Sequence, residues 1–135
     1  MAADRIGAWV ARGLKPAEIA VLYRANANPR GWVKDLALLV SARAAVYCPN
    51  EGFKGPSGVC VTTMHAAKGL QWRAVLVMRA DTMPFLPDRD ADKDEQERLE
   101  RGLMYVAMTR AEEMLAFTRS TSNGFATQIE RLLEV

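Results

Sequence analysis

The sequence predicts a three-layer α/β domain with a mainly parallel sheet. Apolar runs of strand length, rich in β-branched residues, alternate along the chain with segments of helical periodicity. Continuous apolar runs are typical of strands buried on both faces, and their alternation with helices is typical of parallel sheets. The chain has 135 residues, half of them apolar, which is enough to bury one core. We therefore expect a single domain over residues 1–135.

The first half of the chain contains two predicted helices and two predicted strands. Asp4 can cap a first helix that ends at Gly13, and a buried strand follows at Ile19–Tyr23. A second helix is predicted from Trp32 to about Ser41. A weak strand at 45–48 and a loop over 49–58, rich in Asn, Pro and Gly, complete this half.

The second half is predicted to contain three strands and two helices. Strands at 59–63 and 74–78 are joined by a connection so short that their pairing order stays open. A long helix over about 94–110 buries Leu99, Leu103 and Val106. After a last strand at 115–118, a terminal helix is expected to turn these apolar residues inward: Phe125, Ile129 and Leu132 or Leu133.

Composition and charge limit the possible functions. A net charge of +2, with both signs interspersed, is too mild to predict a nucleic-acid surface by itself. Cys48 and Cys60 match no metal-ligand spacing and are too few for a disulfide framework, so we expect a reduced, cytoplasmic setting and no metal site. No apolar segment resembles a signal peptide or a membrane span, so no membrane partner is expected.

Arg110 is the sharpest candidate for a functional side chain. Leu99, Leu103, Val106 and Arg110 follow one another at intervals of 4, 3 and 4 residues, so a cation stands on an otherwise apolar row. One interpretation is an arginine presented across an interface to the γ-phosphate of ATP, where its planar fork stabilises charge that develops during phosphoryl transfer. The alternative is a helix-end arginine that keeps its head in water and interacts with the helix dipole. Spacing alone leaves both open.

Further candidates lie near the ends of predicted strands, where open α/β sheets bind ligands. Tyr23 could stack on a base and Arg24 could bind a phosphate; alternatively, Tyr23 closes the core and Arg24 begins the solvent-exposed segment. The hydroxyls of Thr62 and Thr63 could hold a nucleic-acid phosphate, although Thr is also common at strand ends.

The segment after Thr63 is equally open to two interpretations. His65 could bind a ligand or be a satisfied structural histidine. Lys68 and Gly69 have a structural explanation as a basic last turn followed by a glycine cap.

Three segments give these residues a common context. The chain contains IAVLYRANA at 19–27, VTTMHAAKGLQW at 61–72 and LMYVAMTRAEEML at 103–115. In this order they resemble motifs IV, V and VI of the C-terminal motor domain of superfamily 1 DNA helicases of the UvrD, Rep and PcrA type. The resemblance extends to the terminal segment SNGFATQI. The chain has no Gly-rich turn ending in Gly-Lys-Ser/Thr, so another domain would have to hold the phosphates of ATP.

The resemblance implies a RecA-like fold of the P-loop NTPase type without its own P-loop, and a part in ATP-dependent DNA unwinding. An N-terminal domain would hold ATP and Mg²⁺. The catalytic residues would be Arg24 and Arg110, both reaching the γ-phosphate. Tyr23 would stack on the adenine, while Gly69 and Gln71 would approach the nucleotide. Single-stranded DNA would be contacted by Thr62, Thr63, His65 and Lys68.

The chain departs from the family pattern at three places. Gln71 replaces a customary Glu that is thought to bind the ribose, and Gly102 replaces a customary Arg. Only residues 31–58 separate motifs IV and V, where relatives commonly insert a large accessory domain. We therefore expect either a compact relative or a shortened piece of a longer polypeptide. Alternatives to a motor domain are a non-catalytic module that binds nucleic acid or protein, and a structural role in oligomerisation.

Overall fold

The computed structural model describes residues 2–24, 32–55, 57–80, 83, 92–118, 124–127 and 129. Within them the helices are α1 (Ala2–Ala11), α2 (Trp32–Ser41) and α3 (Lys93–Met108). The strands are β1 (Ile19–Tyr23), β2 (Val46–Cys48), β3 (Phe53–Lys54), β4 (Val59–Thr63), β5 (Trp72–Val77) and β6 (Ala111–Phe117). None of the helices in this part of the chain is long and apolar enough to span a membrane.

The described strands form one sheet with the order β3-β2-β4-β1-β5-β6. The neighbouring pairs β2–β4, β4–β1, β1–β5 and β5–β6 are parallel. Only β3 runs antiparallel to its neighbour, β2. The predicted α/β class is therefore confirmed. The pairing order that the sequence left open is also resolved, because β1 lies between β4 and β5.

Two hydrophobic clusters cover the two faces of the sheet. One cluster joins α1 and α2 to the sheet and includes Ile6, Trp9 and Val33. The other joins α3, the connection 64–71 and the C-terminal segment to the opposite face, and includes Met64, Leu103 and Phe125. The strands in the middle have apolar side chains on both faces, which is why β1 is buried along its whole length.

Some predicted element boundaries were wrong. The segment predicted as a loop over 49–58 contains a 3₁₀ turn at Pro49–Glu51 and the short strand β3. The last strand starts at Ala111 rather than at residue 115, and β5 starts at Trp72 rather than at residue 74. Phe125 is buried and Ile129 packs against the same cluster, as expected. The predicted contacts of Leu132 and Leu133 lie outside the described residues.

The predicted buried row of α3 was also wrong. Leu103 is buried, but Leu99 is 60% exposed and Val106 is only partly buried. The residues that face the sheet are Glu100, Leu103, Met104 and Ala107. At about 100° per residue, the row ending in Arg110 therefore lies on one flank of the helix, at the boundary between core and solvent.

Candidate functional site

The candidate residues divide between two opposite edges of the sheet. Tyr23 and Thr63 are paired at the ends of β1 and β4, so Tyr23, Arg24, Thr62 and Thr63 belong to the carboxyl edge. Arg110 directly precedes β6, whose first residue pairs with Trp72 at the start of β5, and so belongs to the amino edge. A strand as long as β5 spans about 20 Å. The sequence prediction that all candidates gather near carboxyl ends was therefore wrong for Arg110.

The connection 64–71 crosses from one edge to the other. At its start the Met64 backbone N–H donates to the Tyr23 carbonyl (2.9 Å), and just after its end the Trp72 N–H donates to the Arg110 carbonyl (2.9 Å). Thr63 Oγ1 accepts a hydrogen bond from the Ala66 N–H (3.2 Å), which fixes the first turn. The structure thus brings Gln71 next to Arg110, and keeps both far from Thr63.

The middle of this connection is open to solvent. The side chains of His65, Lys68 and Gln71 are exposed. Gly69 has a φ of 81°, in the left-handed region, and a Cβ atom built on it would meet nothing within 4 Å. Because glycine has no side chain, a ligand can approach the backbone closely at Gly69.

Arg110 folds back over the end of α3. Its Nε donates to the Val106 carbonyl (3.1 Å) and its Nη2 donates to Thr109 Oγ1 (3.2 Å). Both acceptors are neutral, and the side chain is half-buried. This arrangement has the features of a helix-end arginine, and a guanidinium has five N–H donors with which to bind further groups. No carboxylate forms an ion pair with Arg110 among the residues that the structure describes.

Arg24 is held differently. Its Nε donates to both carboxylate oxygens of Glu100, each at 3.1 Å. The side chains of Arg24 and Glu100 are only 13% and 2% exposed. The Arg24 Nε is thus engaged with a buried carboxylate, and a contact between this Nε and a phosphate would require the ion pair to open. In this structure Arg24 has a structural role, and its predicted contact with a phosphate stays a prediction.

The two arginines are held at different places along α3. Glu100 and Val106, which hold them, are six residues apart on α3, or about 9 Å along the helix axis. In this arrangement their guanidinium groups lie at different levels of the domain. Their predicted joint contact with one γ-phosphate stays a prediction.

Tyr23 has no surface for an adenine. The residue is 4% exposed, and its ring packs against Trp32 in an edge-to-face arrangement, with 5.6 Å between the ring centroids. The alternative interpretation of Tyr23, as a residue that closes the core, agrees with the structure. We therefore assign it no nucleotide contact.

Ion pairs connect neighbouring strands at the amino edge, beside Arg110. Arg73, in β5, donates to Glu18 before β1 (3.1 Å) and to Glu113 in β6 (3.0 Å). The pKa of Glu18 lies below its ordinary value, first because the Lys15 backbone N–H donates to the carboxylate and second because Arg73 does. The carboxylates of Glu113 and Glu18 raise the pKa of Arg73. This network lies beside the strand ends that carry Gln71 and Arg110.

Sequence reasoning missed Glu100 and Arg79. A signal existed for Glu100, since it stands three and seven residues before the buried Leu103 and Ala107, at helical spacing. Arg79 has a φ of 56° and lies over Trp32, and no spacing in the sequence indicates either feature. In the described ranges, no three His, Cys, Asp or Glu side chains are grouped as a metal site would require.

The chain is similar to known proteins in sequence and in fold. Residues 36–122, well over half of the chain, match the model of the UvrD-like helicase C-terminal domain. This range includes motifs V and VI but not Tyr23 and Arg24. The ATP-dependent DNA helicase PcrA of Staphylococcus aureus is 40% identical over 68 residues, and that of Staphylococcus epidermidis is 38% identical over the same length.

The aligned parts are unequal shares of the molecules compared. These 68 residues are 49% of this chain but 9% of either relative. A solved C-terminal domain of a possible DNA helicase from a Lactobacillus has the same fold. The match covers 90% of this chain and 68% of the solved chain, with a TM-score of 0.56 and 24% sequence identity. Motif order, topology and the match over residues 36–122 agree: the chain belongs to the UvrD-like helicase C-terminal domain family.

Proposed function

We propose that this chain is the C-terminal motor domain of an ATP-dependent DNA helicase or translocase, with separate sites for nucleotide and DNA at its two sheet edges. The observation that carries the proposal is the backbone hydrogen bond between Trp72 and Arg110, which joins motif V to motif VI at the amino edge. Gly69, Gln71 and Arg110 therefore form one group. Thr62, Thr63 and His65 form another at the far end of the same connection.

Arg110 is the residue that we assign to ATP. It is bound only to neutral acceptors in the described part of the chain, so it can turn toward a phosphate without breaking an ion pair. Its guanidinium would donate to the γ-phosphate oxygens on which charge develops during hydrolysis. Such an arginine is worth about 10³ to 10⁵ in rate.

The nucleotide itself would be held by an N-terminal domain, with Mg²⁺. The residues present here fit a supporting role, because the open backbone at Gly69 permits close approach and Gln71 offers an amide for a ribose hydroxyl. Bound ATP supplies the phosphoryl group whose transfer releases the energy for movement. The proposed site does not include Arg24, whose Nε is paired with Glu100, or Tyr23, whose side chain is buried.

The DNA contact lies at the carboxyl edge. The hydroxyls of Thr62 and Thr63 are partly exposed at the end of β4, followed by the exposed His65. Hydroxyl groups, ring nitrogens and backbone N–H groups are common donors to nucleic-acid phosphates. Lys68, farther along the connection, adds positive charge between the two sites.

This separation suggests how the domain couples its two ligands. Arg110 gains a phosphate partner only when the domain closes over ATP, so ATP favours the closed state. The connection 64–71 joins both sites within eight residues. Its shift on closure would therefore move the DNA contacts, and reopening after hydrolysis would return them.

The test is the DNA-stimulated ATPase rate of a polypeptide that joins this chain to its ATP-holding domain. We expect Arg110→Ala to lower the rate about 10³-fold or more. The matched control is Arg101→Ala, which removes an exposed arginine from the opposite flank of α3, where it pairs with Glu97. We expect the control to keep its rate within about twofold of the wild type, because exposed pairs contribute little.

Two outcomes would contradict the proposal. Equal rates for Arg110→Ala and Arg101→Ala would show that Arg110 does not act on the phosphate. If the joined polypeptide hydrolyses no ATP, with or without DNA, the chain is a non-catalytic module of the same family.

A further inference from the structure

The carboxyl edge holds a second group of side chains that the proposed DNA contact does not use. Arg79 follows β5 and, with a φ of 56°, is the one non-glycine residue with a positive φ in the described ranges. This conformation is unfavourable for a residue with a side chain. The Arg79 backbone N–H donates to Thr118 Oγ1 (2.8 Å), which holds the strained residue in place. Strain of this kind is concentrated at functional sites.

The guanidinium of Arg79 lies over an aromatic ring. The guanidinium carbon of Arg79 lies 5.7 Å from the centroid of Trp32. Trp32 in turn meets the buried ring of Tyr23 edge-on, at an interplanar angle of 73°. Arg79, Trp32 and Tyr23 are thus in successive contact, from the guanidinium to the ring that is buried in the core.

A cavity opens beside Arg79 and Trp32. It has a volume of about 940 Å³, which is large enough for a nucleotide unit, and its lining includes Trp32, Met78, Arg79, Phe117 and Thr118. Apolar surface with a few polar groups is typical of sites that bind an aromatic ligand. Among the described residues that line the cavity, the charged ones are Arg5, Arg43 and Arg79 against Asp4 and Asp35, and Arg43 pairs with Asp4. The balance of this described lining is one positive charge, which is compatible with an anionic strand.

We propose that Arg79 and Trp32 form a stacking subsite for an unpaired base of single-stranded DNA, next to the phosphate contacts at Thr62 and Thr63. β4 and β5 flank β1, so this subsite is two strand spacings, about 10 Å, from Thr63. A guanidinium supported by an aromatic ring offers a flat cationic face to a base. The proposal rests on the proposed DNA contact at this edge, and its test separates the two.

The first variant is Arg79→Gly, because glycine adopts a positive φ without strain. The variant removes the guanidinium and relaxes the backbone, so we expect the urea midpoint of the domain not to fall. We expect the affinity for a fluorescent oligo-dT, measured by anisotropy, to fall about tenfold. An abasic oligonucleotide of the same length has the phosphates without the bases, and its affinity should fall much less.

Trp32 provides a second, independent readout. Trp9 and Trp72 are buried, so quenching of tryptophan fluorescence by oligo-dT would arise at the partly exposed Trp32. We expect Trp32→Phe to keep most of the oligo-dT affinity and Trp32→Leu to lose about tenfold, because only the first retains a ring.

Each outcome decides a different point. Equal losses for oligo-dT and abasic DNA in Arg79→Gly, or no loss for either, would overturn the base-stacking subsite. If Thr62→Val still weakens binding in that case, the proposed DNA contact survives without the subsite. If the wild-type chain binds neither oligonucleotide, both the contact and the subsite are wrong.

Discussion

Replacing Glu100 with leucine is expected to lower the free energy of unfolding by about 3–5 kcal/mol. The carboxylate is 2% exposed and accepts two hydrogen bonds from Arg24 Nε, at 3.1 Å each, while Arg24 is itself only 13% exposed. The variant leaves the Arg24 cation without this partner in a largely buried site. A loss of that size is a large part of the total stability of about 5–15 kcal/mol that a domain has.

Urea unfolding followed by circular dichroism measures this loss. With a slope of about 2 kcal/mol per molar urea, the midpoint should fall by about 1.5–2.5 M. The matched control is Glu97→Leu, which removes the carboxylate of an exposed pair with Arg101 on the same helix. Such a pair contributes about 0.3–0.5 kcal/mol. Equal midpoints for the two variants would refute the structural role of the Arg24–Glu100 pair.

The double variant Arg24→Met, Glu100→Leu sharpens the same prediction. Removing both charges removes the ion pair without leaving one of its two charges behind, so the double variant should be much more stable than Glu100→Leu and can equal the wild type. If the losses of Glu100→Leu and of the single variant Arg24→Met simply add in the double variant, the two residues do not interact and the ion pair does not form.

Three other changes test the packing and the amino-edge charges. Gly58→Ala should destabilise the domain by about 1–3 kcal/mol in urea, because a Cβ atom would lie 2.6 Å from the backbone carbon and oxygen of Ala45; unchanged stability would show that this approach is looser. Leu103→Ala should cost about 2–5 kcal/mol, whereas Leu99→Ala on the exposed flank should cost far less, and a reversed order would contradict the orientation of α3. The depressed pKa of Glu18 contributes stability above its unfolded value of 4.5, and this contribution is lost as the pH falls through the lower folded value. The difference in unfolding free energy between wild type and Glu18→Gln should therefore shrink below pH 4.5, and a constant difference would exclude the linkage.

The layers of the fold were predictable because they depend on local patterns. A continuous apolar run located β1 with its observed bounds, since a strand buried on both faces leaves no other periodicity. The bounds of β4 were also predicted, although only Val59 and Val61 are buried there. The spacing of Trp32, Leu36 and their neighbours located α2. The two-residue strand β3 was not predictable, because it depends on pairing with β2 rather than on its own pattern.

The candidate site was predictable only as a set of residues, not as an arrangement. Motif spacing indicated Arg110 and the segment 61–72, but the side of the sheet on which each residue stands follows from the strand order. Arg24 shows the limit most clearly, because its buried partner Glu100 is 76 residues away in the sequence. An ion pair at that separation is a property of the folded chain, and neither residue indicates it alone.

The most direct test of the account is the affinity of the joined motor polypeptide for ADP with aluminium fluoride, which mimics the phosphoryl group in transfer. Arg110 is assigned to charge that develops only in that state, so Arg110→Ala should weaken this complex about 10³-fold or more and change the affinity for ADP alone very little. If the affinity for the mimic is unchanged, or falls no more than that for ADP, Arg110 is a helix-end arginine and the proposed site at the amino edge is wrong.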